Sequence, residues 1–274
     1  MNWKLWRTQI RAILALDLKR NLLSRRSIAV YLLAAMPLSI FALHAAAVVF
    51  GYQGCRGDKD LMLFAGVFQL FTLRLAVFFG CVAVFMNLFR GEVIEKSLHY
   101  LFLAPVRREV LVAGKYIAGL ITTSSVFGLS TAVSYVITLK HLERTPMRML
   151  AAGAWGDLAA YTGITILACA GYGAVFLILG LLFRNPVIPA ATVLLWESVI
   201  VFMPAVLKKF SVIFYLESLC PVRVPFDGAG AVFAISADPT PAYLAIPGLL
   251  LLTAAVIYAA AARIRRMEIR YGTE

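Results

Sequence analysis

The stretch Phe89–Gly119, FRGEVIEKSLHYLFLAPVRREVLVAGKYIAG, separates two long apolar runs and decides how the whole chain is read. On a helical wheel, Glu92, Glu95, Lys96 and His99 fall on one face, and Ile94, Leu98, Leu101 and Phe102 on the other. That is the 3.6-residue period of an amphipathic helix. Pro105 ends it, because proline removes a backbone donor and clashes with the preceding turn. Arg107, Arg108 and Glu109 then open the next helix. A helix made only to lie on anionic lipid carries a basic polar face. This face has mixed charge, which suits a protein partner. On periodicity alone, an ordinary juxtamembrane linker remains an equal alternative, since amphipathic stretches are common.

Outward from this loop the chain is greasy. Of 274 residues, 62% are hydrophobic and 15% charged, and the mean hydropathy is +0.86. Soluble domains carry about 25% charged residues, so the composition is that of a polytopic membrane protein. Six apolar runs reach the roughly 20 residues that a membrane helix needs: Ser27–Phe50, Leu61–Phe89, Tyr116–Leu139, Leu158–Phe183, Val187–Leu207 and Pro241–Ile264. The net charge of +12 lies at the ends of these runs rather than on one basic face interleaved with aromatics, so it reads as topology and not as nucleic-acid binding. On one side stand Lys4, Arg7, Arg11, Lys19, Arg20, Arg25, Arg26, Arg90, Lys96, Arg107, Arg108, Lys115, Arg184, Arg263, Arg265, Arg266 and Arg270. The other side has Arg56, Lys59, Lys140, Arg144, Arg148, Lys208, Lys209 and Arg223. The positive-inside rule places both termini and the opening loop in the cytoplasm.

The first 26 residues hold seven basic residues and no compact apolar core, so no cleaved signal peptide is expected. They predict an interfacial helix instead. Trp3, Trp6, Ile10, Ile13 and Leu14 share a face, Lys4, Arg7 and Arg11 the neighbouring one, and Asp17 interrupts the apolar face. Residues 208–240 are extracytoplasmic on this topology. Their apolar pieces are too short to span, which predicts re-entrant or interfacial segments. The expected organisation is a connecting helix over 1–26, a six-helix membrane domain over 27–264 with a cytoplasmic loop at 90–115, and a tail over 265–274.

Arg74 in the second run and Glu197 in the fifth are central, opposite charges at similar depth. A central charge costs about 2.5–3.5 kcal/mol on insertion scales and so faces protein or water. The expectation is that the two pair, within one subunit or across a dimer. Such a pair would gate a path, meet a polar part of a cargo, or serve only as a structural lock. Gln69, Thr162 and Thr165 add polar atoms, and Gly171, Gly173 and Gly180 offer close helix approach. Cys55 and Cys220 both fall outside the cytoplasm, where a disulfide can form if the compartment oxidises. Cys81 and Cys169 read as packing residues. His44, His99 and His141 lie on different segments and make no metal site. No G-x-x-x-x-G-K-[ST], G-x-S-x-G or H-E-x-x-H occurs.

The opening loop resembles that of the ABC-2 type permeases, the membrane subunits of type V (G-type) exporters. Their pattern runs from acidic residues through Gly-Thr-Leu and Thr-Pro to a basic residue and a late Gly-Lys. Here it reads Glu92, Lys96-Ser97-Leu98, Leu101, Ala104-Pro105, Arg107-Arg108 and Gly114-Lys115, with Lys96 in place of the glycine and Ala104 in place of the threonine. The order of interfacial helix, six spans and late re-entrant pieces is similar too. The resemblance implies that Glu92, Glu95, Lys96, Ser97, Leu98, Leu101, Pro105, Arg107 and Arg108 form a coupling helix docking on a separate ABC ATPase. It also implies that spans two and five line a cavity between two permease copies, a homodimer or a paralogous pair. This chain would bind no cofactor and not be an enzyme itself; ATP and Mg would sit on the partner.

The resulting expectation is an all-α, multi-pass inner-membrane permease among membrane lipids. It exports a lipophilic or amphiphilic cargo such as a drug, antibiotic or lipid. Two alternatives stay open. One is an ATP-independent secondary transporter or channel, which predicts interrupted helices in both halves; prolines 186, 189 and 204 surround span five, with no matching set in span two. The other is a membrane anchor for a partner complex.

Overall fold

A computed structural model describes residues 3–24, 27–50, 57–94, 108–142, 152–183, 185, 187–222, 224 and 240–265. All regular structure among the described residues is helical. In hydrocarbon, backbone polar groups have no water to bond, so an apolar chain crosses only as helices or a closed barrel. Long apolar runs without alternation select helices. Their interior hydroxyls need no outside partner: Thr122, Thr123, Thr138, Thr165 and Thr253 each donate to the carbonyl one turn back, at 2.8–3.0 Å.

The elements are α1 (Trp3–Leu23), α2 (Ser27–Val49), α3 (Gly57–Val67), a π-helical stretch (Phe68–Val77), α4 (Phe78–Ile94), α5 (Arg108–Leu142) and α6 (Ala152–Leu182). There follow α7 (Val187–Val199), a 3₁₀ turn (Ile200–Phe202), α8 (Ala205–Lys208), α9 (Val212–Leu219) and α10 (Ala242–Arg265). Helix α6 is central, packed along α4, α5 and α10, while α5 also carries α1 and α2. Close approach of α4 and α6 depends on two glycines. A Cβ on Gly180 would lie 2.9 Å from the Cα of Met86, and one on Gly173 2.5 Å from Cζ of Phe85. Pro37 inside α2 denies an N–H to its own preceding turn. Ser130 Oγ of α5 donates at 2.5 Å to the carbonyl of Ala34 in that turn.

Among the described residues, five helices are long and apolar enough to cross a membrane: Ser27–Val49, Asp60–Phe89, Arg108–Leu139, Ala154–Leu182 and Ala242–Arg265. The predicted span Val187–Leu207 is not one continuous helix. Its α-helical part is 13 residues long, and after the 3₁₀ turn Met203 is extended, at φ −93° and ψ 155°. Pro204 follows it, and the clash of a proline ring with the residue before it disfavours the helical region there. Among the described residues, five of the six expected spans are thus long helices, and the expected fifth is a shorter apolar helix, Val187–Val199, followed by a break.

Candidate functional site

Two regions gather polar side chains around a buried charge, Glu197 in one and Lys115 in the other. The first surrounds α9. Residue Ser211 caps this helix, its hydroxyl accepting from the N–H of Phe214 at 3.4 Å. Glu197, 5% exposed, reaches the same helix end from α7. Its Oε2 accepts from Ser211 Oγ at 2.6 Å and from the Ile213 N–H at 3.2 Å, and its Oε1 from the Val212 N–H at 3.1 Å. The first N–H groups of a helix have no partner within it and carry its positive dipole end. Glu197 fills that role.

The expected pairing of Arg74 with Glu197 does not form within the chain. Arg74 Nη2 donates to Glu217 Oε1 of α9 at 2.6 Å. Glu197 is held by three donors at the start of α9, whereas Glu217 lies near the other end of that helix. Gln69, from the same π-helical stretch as Arg74, donates through Nε2 to the Val222 carbonyl at 2.8 Å. Helix α9 and the turn after it are thus gripped by α7 at one end and by the π-helical stretch along the other. Glu217 lies in the segment 208–240, which the sequence places between spans. Its setting in the apolar piece FSVIFYLESLC was the signal of a partnered charge. Cys220, at the end of α9, is a free and buried thiol, its Sγ 3.4 Å from the Leu216 carbonyl. Cys55, with which the sequence allowed Cys220 a disulfide, lies outside the described residues. Of the two span-four threonines, Thr165 lies 3.1 Å from Thr131 Oγ1 of α5, whereas the buried Thr162 hydroxyl has no partner.

The second region is the base of the loop between α4 and α5. Glu92 lies in the last turn of α4; Glu95, Lys96, Ser97, Leu98, Leu101, Pro105 and Arg107 lie outside the described residues. The flanking residues are held by four helix ends. Lys115, 1% exposed, donates to the Leu88 carbonyl of α4 at 3.1 Å and lies 3.5 Å from Asp17 Oδ2 of α1. Its ammonium sits 5.4 Å from the centre of the Phe89 ring, within cation–π reach. Asp17, which broke the apolar face of α1 in the sequence, is therefore a buried partner. Next to Lys115, a Cβ on Gly114 would come 3.0 Å from Cγ2 of Ile13, so the glycine of the Gly-Lys pair lets α1 lie against α5. Arg108 donates through Nη1 to the last carbonyls of α10, those of Ile264 and Arg265, each at 3.2 Å. Glu109 pairs with Arg265 Nε at 2.7 Å. Sequence reasoning marked Arg108 and Gly114-Lys115, but not Asp17 as their anchor.

Among the described residues no cluster of histidine, cysteine or acidic side chains could hold a metal ion. What the geometry provides is a multi-pass helical membrane protein with polar contacts buried between its helices, the class to which membrane permeases belong. Comparison of sequences gives the family. Residues 23–203 match the family described as ABC-2 family transporter protein, and the chain belongs to it. No curated protein matches the chain. The matched residues include α2 to α7 and the whole α4–α5 loop, and the family implies association with an ABC ATPase subunit.

Proposed function

We propose that this chain is the membrane subunit of an ABC-2 exporter, driven by ATP hydrolysis on a separate subunit that docks on the loop at 90–115. The observation that carries this reading is the joining of α5 to α1 and α4 through the buried Lys115, and to α10 through Arg108, at the base of that loop. A load applied to the loop would reach four helices through short polar contacts rather than through a slack linker. Helix α7 and its 3₁₀ turn together rise about 26 Å at standard helix geometry, close to the ~30 Å of hydrocarbon. We take them as the sixth crossing, which puts both termini in the cytoplasm in agreement with the charge bias. Two copies, or this chain and a paralogue, would enclose the path in the inner membrane. A lipophilic or amphiphilic cargo fits the apolar spans, with Arg74, Gln69 and Glu197 acting on the path through their hold on α9. ATP and Mg belong to the partner.

The test is co-purification of the detergent-solubilised chain with its ATPase, wild type against the double variant Glu95→Arg, Leu98→Asp. The expected result is retention by wild type and loss by a variant that stays monodisperse. Equal binding by both would remove the loop as the docking site. The π-helical stretch and the break at Pro204 interrupt two different spans, as an ATP-independent transporter would require. Arg74 and Gln69 of the first, however, and Glu197 of the helix before the second, bond to α9 and the turn after it. Transport by vesicles holding the chain without any ATPase would favour that second reading.

A further inference from the structure

The second long helix changes its winding part-way along. Its backbone is α-helical at Val67 and again at Phe78, and the ten residues between them are π-helical. Neither proline nor glycine is the cause, for Phe68–Val77 contains none. π-Helices are rare and mostly confined to single turns. A stretch this long persists only because its surroundings favour it.

The favouring contacts are on one side. A π-helix bonds residue i to residue i+5, so side chains five positions apart stand nearly in line. Gln69 and Arg74 are five apart and reach the same segment, Gln69 at the Val222 carbonyl and Arg74 at Glu217 of α9. Leu70 and Leu75, also five apart, are both exposed. At 3.6 residues per turn, residues five apart point about 140° away from each other. An α-helix over the same residues would therefore present Gln69 or Arg74 to this segment, but not both. The π-wound state also leaves Arg74 half used, since its buried Nε has no partner among the described residues. The other holds on α9 lie off the stretch. Glu197 of α7 binds its first N–H groups, and α6 and α10 pack along it.

We propose that Phe68–Val77 is a two-state element. Wound as a π-helix, it clasps α9 and the turn after it through Gln69 and Arg74 together. Rewound as an α-helix, it lets them go, and the second long helix parts from α9, which stays on its other neighbours. The device goes beyond the function proposed above and depends on neither the cargo nor the ATPase. Because the coupling is reciprocal, loosening the clasp from the α9 side must favour α winding in the stretch.

The test measures distances between paired spin labels in the detergent-solubilised chain, with the four cysteines replaced by alanine. Labels at the exposed Leu63 and Phe79 bracket the stretch and read its winding, because a π-helix has more residues per turn and rises less per residue than an α-helix. Labels at Leu70 and Pro221 read the stretch against the end of α9, and labels at Leu195 and Pro221 read α9 against α7. Gln69→Leu and Arg74→Met each remove one clasp from within the stretch. Glu217→Gln weakens it from α9 and leaves the stretch untouched. In each variant the population with longer Leu63–Phe79 and longer Leu70–Pro221 separations should grow about fivefold over wild type, while Leu195–Pro221 stays as in wild type. Glu217→Gln is the sharpest of the three, since a merely local loss would leave Leu63–Phe79 unchanged. The proposal is overturned if one of the first two separations changes without the other, if neither changes in any variant, or if Leu195–Pro221 lengthens equally. Should the variants within the stretch fail to fold, Glu217→Gln, at a side chain 36% exposed, still returns one of these results.

Discussion

Asp17 and Glu197 are both carboxylates almost out of contact with solvent, and they are held in opposite ways. Asp17 faces an ammonium, that of Lys115, across 3.5 Å. Among the described residues, Glu197 faces no cation at hydrogen-bonding distance but two backbone N–H groups and a hydroxyl at the start of α9. The first arrangement joins helices far apart in sequence around the loop that the ATPase is proposed to load. The second fixes a short helix on its neighbour. A charge pair has no directional stem and tolerates sliding between elements. Three convergent hydrogen bonds define one position. The difference fits a junction built to transmit movement at one place and an anchorage built to resist it at the other.

The largest effect should come from breaking the charge pair on one side only. Lys115→Met leaves Asp17 buried without its cation and should cost about 3–5 kcal/mol, read as a loss of stability in denaturant titration of the micelle-bound protein. Adding Asp17→Leu should recover most of the loss, because an apolar pair of similar volume is often as stable as a buried ion pair. No recovery would mean that Lys115 acts through the Leu88 carbonyl and not through Asp17.

Glu197→Gln tests the other carboxylate. An amide accepts with one oxygen only and turns its NH₂ toward backbone donors. The expected cost is about 1–3 kcal/mol, with faster hydrogen exchange confined to the first turn of α9. A cost as large as that of Lys115→Met would erase the distinction drawn above. Ser211→Ala removes one of the three donors and the helix cap together, for which about 1 kcal/mol is expected, measured in the same titration. The smallest effect belongs to Arg74 and Glu217. Their side chains are 22% and 36% exposed, so a double-mutant cycle with Arg74→Ala and Glu217→Ala should give a coupling of about 1 kcal/mol or less. A coupling several times larger would make this pair, and not Glu197, the main hold on α9.

Much of the architecture was legible before any contact was known. The long apolar helices follow from apolar run length, a property of the chain itself. So does the close packing at Gly173 and Gly180, which only an absent side chain permits. The sites were less legible. Arg74 and Glu197 stood out because each is a lone charge in an apolar run, but their partners did not. Glu217 and Asp17 looked like ordinary polar positions, one in a segment between spans and one spoiling an amphipathic face.

The sequence by itself determined that this protein is a bundle of membrane-crossing helices with a charged interruption after the second, because hydrocarbon leaves an apolar chain few other ways to satisfy its backbone. Only the tertiary structure decided which charge meets which. Asp17 and Lys115 are 98 positions apart, and Arg74 and Glu217 are 143 apart. Depth in the membrane, which sequence can estimate, fixes how far along a helix a charge lies. It does not fix the rotation of that helix or the neighbour it faces, and ion pairing is settled by those two.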